Sequence, residues 1–170
     1  VVWLGVGGID SSSTAHIVAL EPGAAGGWRR GSVPSALPGG QVTVLDIEGS
    51  GAFVSVPDLF GRLPAPSWGG PGPGQGGQPS VVVLRLRGHL RSNLTFVKAL
   101  ETYAGHVSGT GGAVLVCGLL PAPLAQLRSA GLPDAVVLIA QGEELDGSLG
   151  EAYERALDVL ATQPPPPSQE

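Results

Sequence analysis

The chain has 170 residues, of which 42% are hydrophobic and 14% charged, proportions that favour one folded domain with a substantial core. Its formal net charge of −5 argues against a DNA or RNA partner, because nucleic-acid-binding domains concentrate positive charge. The one cysteine, Cys117, excludes an internal disulfide. It lies in an apolar run, so we expect a buried strand residue rather than a reactive thiol.

Glycine and proline are abundant, with 28 and 16 residues, and much of this content falls in two segments. We therefore expect an ordered domain with disordered insertions. Residues 22–40 are predicted to form a loop or a loose hairpin, and residues 64–79 a flexible low-complexity loop. The tail 163–170 is expected to be disordered.

The opening segment, VVWLGVGGI, is apolar but too short to span a bilayer, which takes about 20 residues. It lacks the basic residues and the cleavage site of a secretory signal. Two interpretations stay open from these residues: the cut end of a transmembrane helix, or a small hydrophobic arm. The polar stretch that follows, through His16, reads as a hinge.

Strands and helices alternate along the rest of the chain, which predicts an α/β fold with a largely parallel sheet of four to five strands. About four helices are expected, mainly on one face of that sheet. The predicted strands are Ile17–Leu20, Val42–Ile47, Val81–Leu86, Ala113–Cys117 and Ala135–Ala140. The predicted helices are Pro57–Leu63, Asn93 to about Val107, Pro121–Ala130, and one opened by a capping box at Ser148–Glu151.

The strand VVVLRLRG places Arg85 and Arg87 on one face, with Val83, and its leucines on the other. A strand buried between two complete helix layers should not carry two arginines on one face. We therefore expect full cover on one face of the sheet and partial cover on the other.

Few residues of the chain indicate a catalytic or ligand-binding site. The three histidines are scattered, so no metal site is expected, and no nucleotide-binding or hydrolase motif occurs. The remaining candidate is the turn after strand 81–86, where a helix N-terminus and two arginines could contact an anion, a nucleotide phosphate or a partner. Its candidate residues are Arg87, Arg91, Ser92, Asn93 and Thr95. The alternative is a capped helix with solvated arginines.

Several segments in their order and spacing resemble STAS domains, across residues 17–162. They are VTVLDIEGSGAFVSVPDLFGRLP, VVVLRLRG with its helix, GGAVLVCGLLPAPLAQLRSAGL and EAYERAL. The chain is similar to the C-terminal cytosolic STAS domain of SulP-type anion transporters of the bacterial kind. In that family the helix after the Arg-Gly turn opens with Asp-Ser-Thr-Gly, and the matching residues here are Asn93, Leu94, Thr95 and Phe96.

The resemblance implies a non-catalytic regulatory and assembly domain of a sulfate-like anion transporter, on the cytoplasmic side of the cell membrane. Its implied partners are the transport domain of the same polypeptide and a second copy of itself; no cofactor is implied. Residues 1–16 would then be the stub of the preceding transmembrane helix and a hinge. Leu94 occupies the phosphoacceptor position and has no hydroxyl, so a phosphoryl switch there is not expected.

The alternative function is that of a free-standing anti-anti-sigma-type partner-switching protein, a class within the same fold family. That function normally depends on the serine that Leu94 replaces. An enzymatic function is a distant third, because no residue set above suits catalysis.

Overall fold

A computed structural model describes residues 15–48, 55–66, 78–87, 94–140 and 147–162. Within these ranges the chain forms eight strands and four helices in an α/β arrangement. In chain order the elements are β1 (His16–Pro22), β2 (Trp28–Gly31), β3 (Ala36–Leu37), β4 (Val42–Glu48), α1 (Val56–Gly61), β5 (Ala65–Pro66), β6 (Val81–Leu86), α2 (Leu94–Ser108), β7 (Ala113–Cys117), α3 (Pro121–Ser129), β8 (Val136–Leu138) and α4 (Gly147–Thr162).

The main sheet has six strands in the order β2-β1-β4-β6-β7-β8. The strands β4, β6, β7 and β8 are parallel, whereas β1 is antiparallel to both β2 and β4. A separate parallel pair joins β3 to β5. The predicted α/β class with a mixed, largely parallel sheet is confirmed.

The first face of the sheet is covered by α1, α2 and α3. The leucines Leu45 and Leu84 of the sheet pack there with Phe96 and Leu100 of α2, all essentially inaccessible to solvent. The three helices begin close to their predicted positions because Pro starts two of them and the apolar spacing of α2 fits one helix face.

The second face is covered by α4, which packs across β4, β6 and β7. Leu149, Ala152 and Ala156 of this helix lie against Val83 and other apolar residues of the sheet. Among the described helices α4 is the one on this face, so the expected asymmetry of the two faces is confirmed. The apolar residues of this face give way to charged ones toward the carboxyl ends of the parallel strands.

Three details differ from the sequence-based expectations. The hairpin strand β2 is a sixth strand, formed because Trp28–Gly31 pairs with β1 inside the Gly- and Pro-rich segment. The helix α4 begins at Gly147, and the buried Oγ of Ser148 has no hydrogen-bond partner among the described residues, so the predicted capping box is wrong. Leu157 on this helix is 43% exposed rather than part of the core.

Candidate functional site

A cluster of charged side chains lies on the second face of the sheet, where β4 and β6 end. The parallel pairing of these strands places Asp46 beside Arg85, and the pairing of β6 with β7 places Arg85 beside Cys117. Side chains alternate between faces along a strand, so Asp46 shares its face with Val44, and Arg85 shares its face with Val83. The charged cluster therefore continues the apolar surface that α4 covers.

The carboxylate of Asp46 is held by two guanidinium groups. Arg87 donates from Nε to Oδ1 over 3.3 Å, and its terminal NH2 lies 3.0 Å from Oδ2. Arg85 approaches from the adjacent position, with NH1 3.9 Å from Oδ2. The two contacts of Arg87 form a fork that fixes the plane of its guanidinium relative to the carboxylate.

Asp46 and Arg85 are both buried, with 1% and 8% of their surfaces exposed. The side chain of Arg87 is 52% exposed and reaches from the buried carboxylate toward solvent. Burial of an unpaired charge is costly, so Asp46 compensates the arginine that β6 places inside the fold. The guanidiniums of Arg85 and Arg87 both face this one carboxylate.

The β1–β2 hairpin forms one side of the cluster. Arg30 on β2 makes an ion pair with Glu48 at the end of β4. Trp28 packs edge-on against Tyr153 of α4, with ring centroids 5.3 Å apart. This contact fixes the hairpin against α4 and places Arg30 near the Asp46 cluster.

These elements enclose an open pocket of about 460 Å³, which we call the strand-end pocket. Its charged lining consists of three arginines and one aspartate. The full lining is Leu20, Gly27, Trp28, Arg30, Asp46, Arg85, Arg87 and Gly147. Gly147 is the first residue of α4. The sequence places Glu143, Glu144 and Asp146 shortly before it, in residues outside the described part of the chain.

A tight approach between strands shapes the neighbourhood of Arg85. Gly118 follows β7 with a φ of +80°, and a Cβ placed there would lie 2.9 Å from the carbonyl oxygen of Leu86. The same Cβ would lie 3.2 Å from Cγ of Arg85. A larger residue at this position would therefore strain the backbone and displace the Arg85 side chain.

The structure places the sequence-predicted site residues as follows. Arg87 lies at the end of β6, and its guanidinium contacts Asp46 on the second face of the sheet. Thr95 is exposed in the first turn of α2, a helix that packs against the first face. Arg91, Ser92 and Asn93 lie outside the described residues. The predicted anion or partner contact at this turn stays a prediction.

Asp46 and Arg30 were absent from the sequence-based candidates. The signal for Asp46 was present in VTVLDIE, where this acid lies inside the strand between the apolar residues Leu45 and Ile47. Arg85 and Arg87 on one face of the strand VVVLRLRG also indicated that an acidic side chain lies near them. Arg30 carried no comparable signal, because its position depends on the pairing of β2 with β1.

Cys117 borders the cluster but is not a reactive group. It is buried and free, as predicted. Desolvation raises the pKa of its thiol from the ordinary 9.0 to about 12, and the nearby charges of Arg85 and Asp46 act in opposite directions on it. The thiol therefore stays protonated at neutral pH, and its role is to fill the core.

The cluster is suited to electrostatic recognition. Guanidinium groups are donors without acceptor capacity, and they match the oxygen atoms of carboxylate, phosphate and sulfate groups.

Within the described ranges, no group of three or more His, Cys, Asp or Glu side chains could hold a metal ion. No helix of the described part is long and apolar enough to cross a membrane.

Comparison with known proteins finds no matching family model, no similar curated protein and no similar solved structure. The resemblance to STAS domains stays a prediction from the sequence motifs.

Proposed function

We propose that this chain is the cytosolic regulatory and assembly domain of a SulP-type transporter of a sulfate-like inorganic anion, without catalytic activity of its own. The observation that carries the proposal is the order of the elements. Among the described residues, the strands and helices expected between residues 17 and 162 have counterparts in the α/β fold, at nearly the expected boundaries. This order supports the proposal, whereas the Gly-Ser turn at 49–50 and the residues 88–93 between β6 and α2 lie outside the described part of the chain.

The start of α2 favours a contact role over a phosphoryl switch. Leu94 begins this helix and is 68% exposed, a large apolar side chain on the surface at the position of the family's phosphoacceptor. Leucine has no hydroxyl and accepts no phosphoryl group, so this position offers no phosphoryl switch. We therefore infer regulation through contacts with the transport domain or a second copy of the chain.

The proposal can be tested on the complete polypeptide reconstituted into liposomes. Uptake of labelled sulfate should be measured for the intact protein and for a form lacking residues 15–162. We expect uptake by the intact protein, and a changed rate or a loss of assembly when the domain is removed. A matched control replaces only residues 67–77 by a Gly-Ser linker and should preserve uptake. A complete polypeptide that moves no inorganic anion would contradict the proposal.

The alternative, a free-standing partner-switching protein, makes a different prediction. It requires a phosphorylated hydroxyl at the head of α2, where Thr95 is the exposed candidate within the described residues. Incubation with partner kinases followed by intact-mass measurement separates the two functions. Stoichiometric phosphate on Thr95 or Ser92, with altered partner binding, would favour the alternative; no phosphate is expected from the transporter-domain proposal.

A further inference from the structure

We propose that the outer edge of β8 is a dimerisation surface, at which a second copy of this chain adds its own β8 in antiparallel orientation. The two-fold axis passes beside Val137, so that Val136 of one copy lies opposite Leu138 of the other. This inference gives a surface to the assembly role of the proposed function, and for that biological setting it rests on the proposed function. The contact itself can be measured on the 170-residue chain, apart from any transport.

The strand β8 lies at the edge of the main sheet, with β7 as its neighbour among the described residues. The carbonyl oxygen of Ala135 accepts a hydrogen bond from β7, and the N–H of Ile139 donates one to it, both over 2.8 Å. The backbone groups of successive residues alternate between the two edges of a strand. The N–H and C=O groups of Val136 and Leu138 therefore point away from β7.

Antiparallel pairing around Val137 uses these outward groups. The N–H of Leu138 in each copy donates to the carbonyl oxygen of Val136 in the other. The N–H of Val136 is already engaged, because it donates to the carbonyl oxygen of Pro133 over 2.9 Å. Symmetry thus gives two backbone hydrogen bonds across the seam. Residues directly opposite in an antiparallel pair share a face, so the two sheets join as one with their helix layers on matching faces.

The composition of β8 favours pairing at this edge. Its three residues are apolar and half-buried, and the run AVVLIA at 135–140 contains neither a charge nor a proline. The strand at the opposite edge of the sheet, β2, carries Arg29 and Arg30. Charged side chains and prolines on an edge strand discourage pairing with another chain. The sheet is therefore protected at the β2 edge and suited to pairing at the β8 edge.

The charges beside β8 are complementary to a second copy. Arg128 at the end of α3 and Asp134 before β8 are exposed, and neither side chain forms an ion pair or a hydrogen bond within the described part of the chain. Arg128 lines two grooves along this edge, one shared with Asp134 and one shared with Ala140. Pairing around Val137 brings Asp134 of the second copy opposite Ala140, at the groove that Arg128 lines. By symmetry the contact forms two ion pairs.

Charge reversal gives a discriminating set of variants. In Arg128→Glu and in Asp134→Arg, both ion pairs of the dimer become like-charge contacts, so each variant alone should dimerise about ten-fold more weakly. An equimolar mixture of the two variants restores both opposite-charge contacts in a heterodimer and should recover the original affinity. The control is Arg155→Glu, the same charge change at an exposed position on α4, which should leave the affinity unchanged.

Two measurements on the 170-residue chain give the affinity and the location of the contact. Sedimentation velocity over a range of concentrations gives the dimer Kd of each variant, with circular dichroism to verify its fold. Amide hydrogen exchange then locates the seam. The amide of Leu138 should exchange fast in the dilute monomer and slowly in the concentrated dimer. The amide of Val137, which faces β7, should be protected in both.

Three results would overturn the inference. The first is a chain that stays monomeric at every concentration. The second is a dimer that neither charge reversal weakens, because its contact then lies elsewhere. The third is a Leu138 amide protected in the monomer as well, since the chain's own residues, such as 141–146, would then cover the edge. Dimerisation without anion uptake by the complete polypeptide contradicts the proposed function alone, whereas uptake with a monomeric domain contradicts this inference alone.

Discussion

Asp46 and Arg87 are joined across the ends of two neighbouring parallel strands, with Arg87 Nε 3.3 Å from Oδ1 and its NH2 3.0 Å from Oδ2. The pair connects a fully buried carboxylate to a guanidinium that reaches solvent. The first prediction tests how much this buried carboxylate contributes to the stability of the sheet.

Asp46→Asn should lower the free energy of unfolding by about 3 kcal/mol, because it keeps the side-chain shape but leaves Arg85 buried without its carboxylate. Urea unfolding monitored by circular dichroism measures the change. The control is Glu21→Gln, which breaks the exposed pair with Arg29 and should cost less than about 1 kcal/mol. Equal effects in the two variants would mean that burial does not strengthen the Asp46 cluster.

Tyr103 should stabilise the fold through one buried hydrogen bond. Its hydroxyl donates to the carbonyl oxygen of Pro64 over 2.9 Å and so ties α2 to the chain just before β5. Tyr103→Phe leaves that carbonyl without this donor and should cost about 1–2 kcal/mol in thermal or urea unfolding. Tyr153→Phe removes a hydroxyl from a half-buried ring on α4 and should cost less than about 0.5 kcal/mol. A negligible effect of Tyr103→Phe would contradict the role of this bond.

Cys117 should make stability depend on pH in the alkaline range. Burial raises its pKa in the folded state from the ordinary 9.0 to about 12, so the folded state holds this proton more tightly than the unfolded state. The resulting stabilisation is fully present below pH 9 and is lost as the pH rises toward 12. Urea unfolding across this range measures the slope, which Cys117→Ala should reduce. A steeper or unchanged slope in that variant would contradict the assignment. Burial of Tyr103 raises its pKa as well and contributes with the same sign.

Replacement of residues 67–77 by a short Gly-Ser linker should leave the melting temperature within a few degrees. The closure entropy of a loop grows slowly with its length, so a shorter linker changes little. The replacement keeps β5 and also Gln78, which lies close to Gly39 and Gly40. Differential scanning calorimetry provides the measurement. Loss of a cooperative transition would show that Trp68 or another residue of this segment packs into the core.

The sequence predicted the buried parallel strands well. The boundaries of Val81–Leu86 and Ala113–Cys117 were correct, because continuous β-branched and leucine runs bounded by Gly and Pro have few other solutions. For residues 22–40, which contain β2 and β3, a loop and a loose hairpin were both predicted, and the hairpin of β1 and β2 fits the second. The pair of β3 with β5 was not predicted, since both strands are two residues long and their partners are distant in sequence. Local propensity carries no information about such pairings.

The candidate site was predicted only in part. Arg87 was identified from its position after a strand, but its interaction partner Asp46 lies 41 residues earlier in the chain. The register between β4 and β6 brings the two together, and that register becomes known only when the sheet is assembled. The remaining predicted residues of the turn, Arg91, Ser92 and Asn93, lie outside the described part of the chain.

The most direct test of the proposed function is the sequence of the complete polypeptide upstream of Val1. A SulP-type transporter predicts a series of apolar segments there, each about 20 residues long and able to cross the bilayer as a helix. VVWLGVGGI would be the end of the last one. A start methionine immediately before Val1, with no such segments, would contradict the proposal that this domain belongs to an anion transporter.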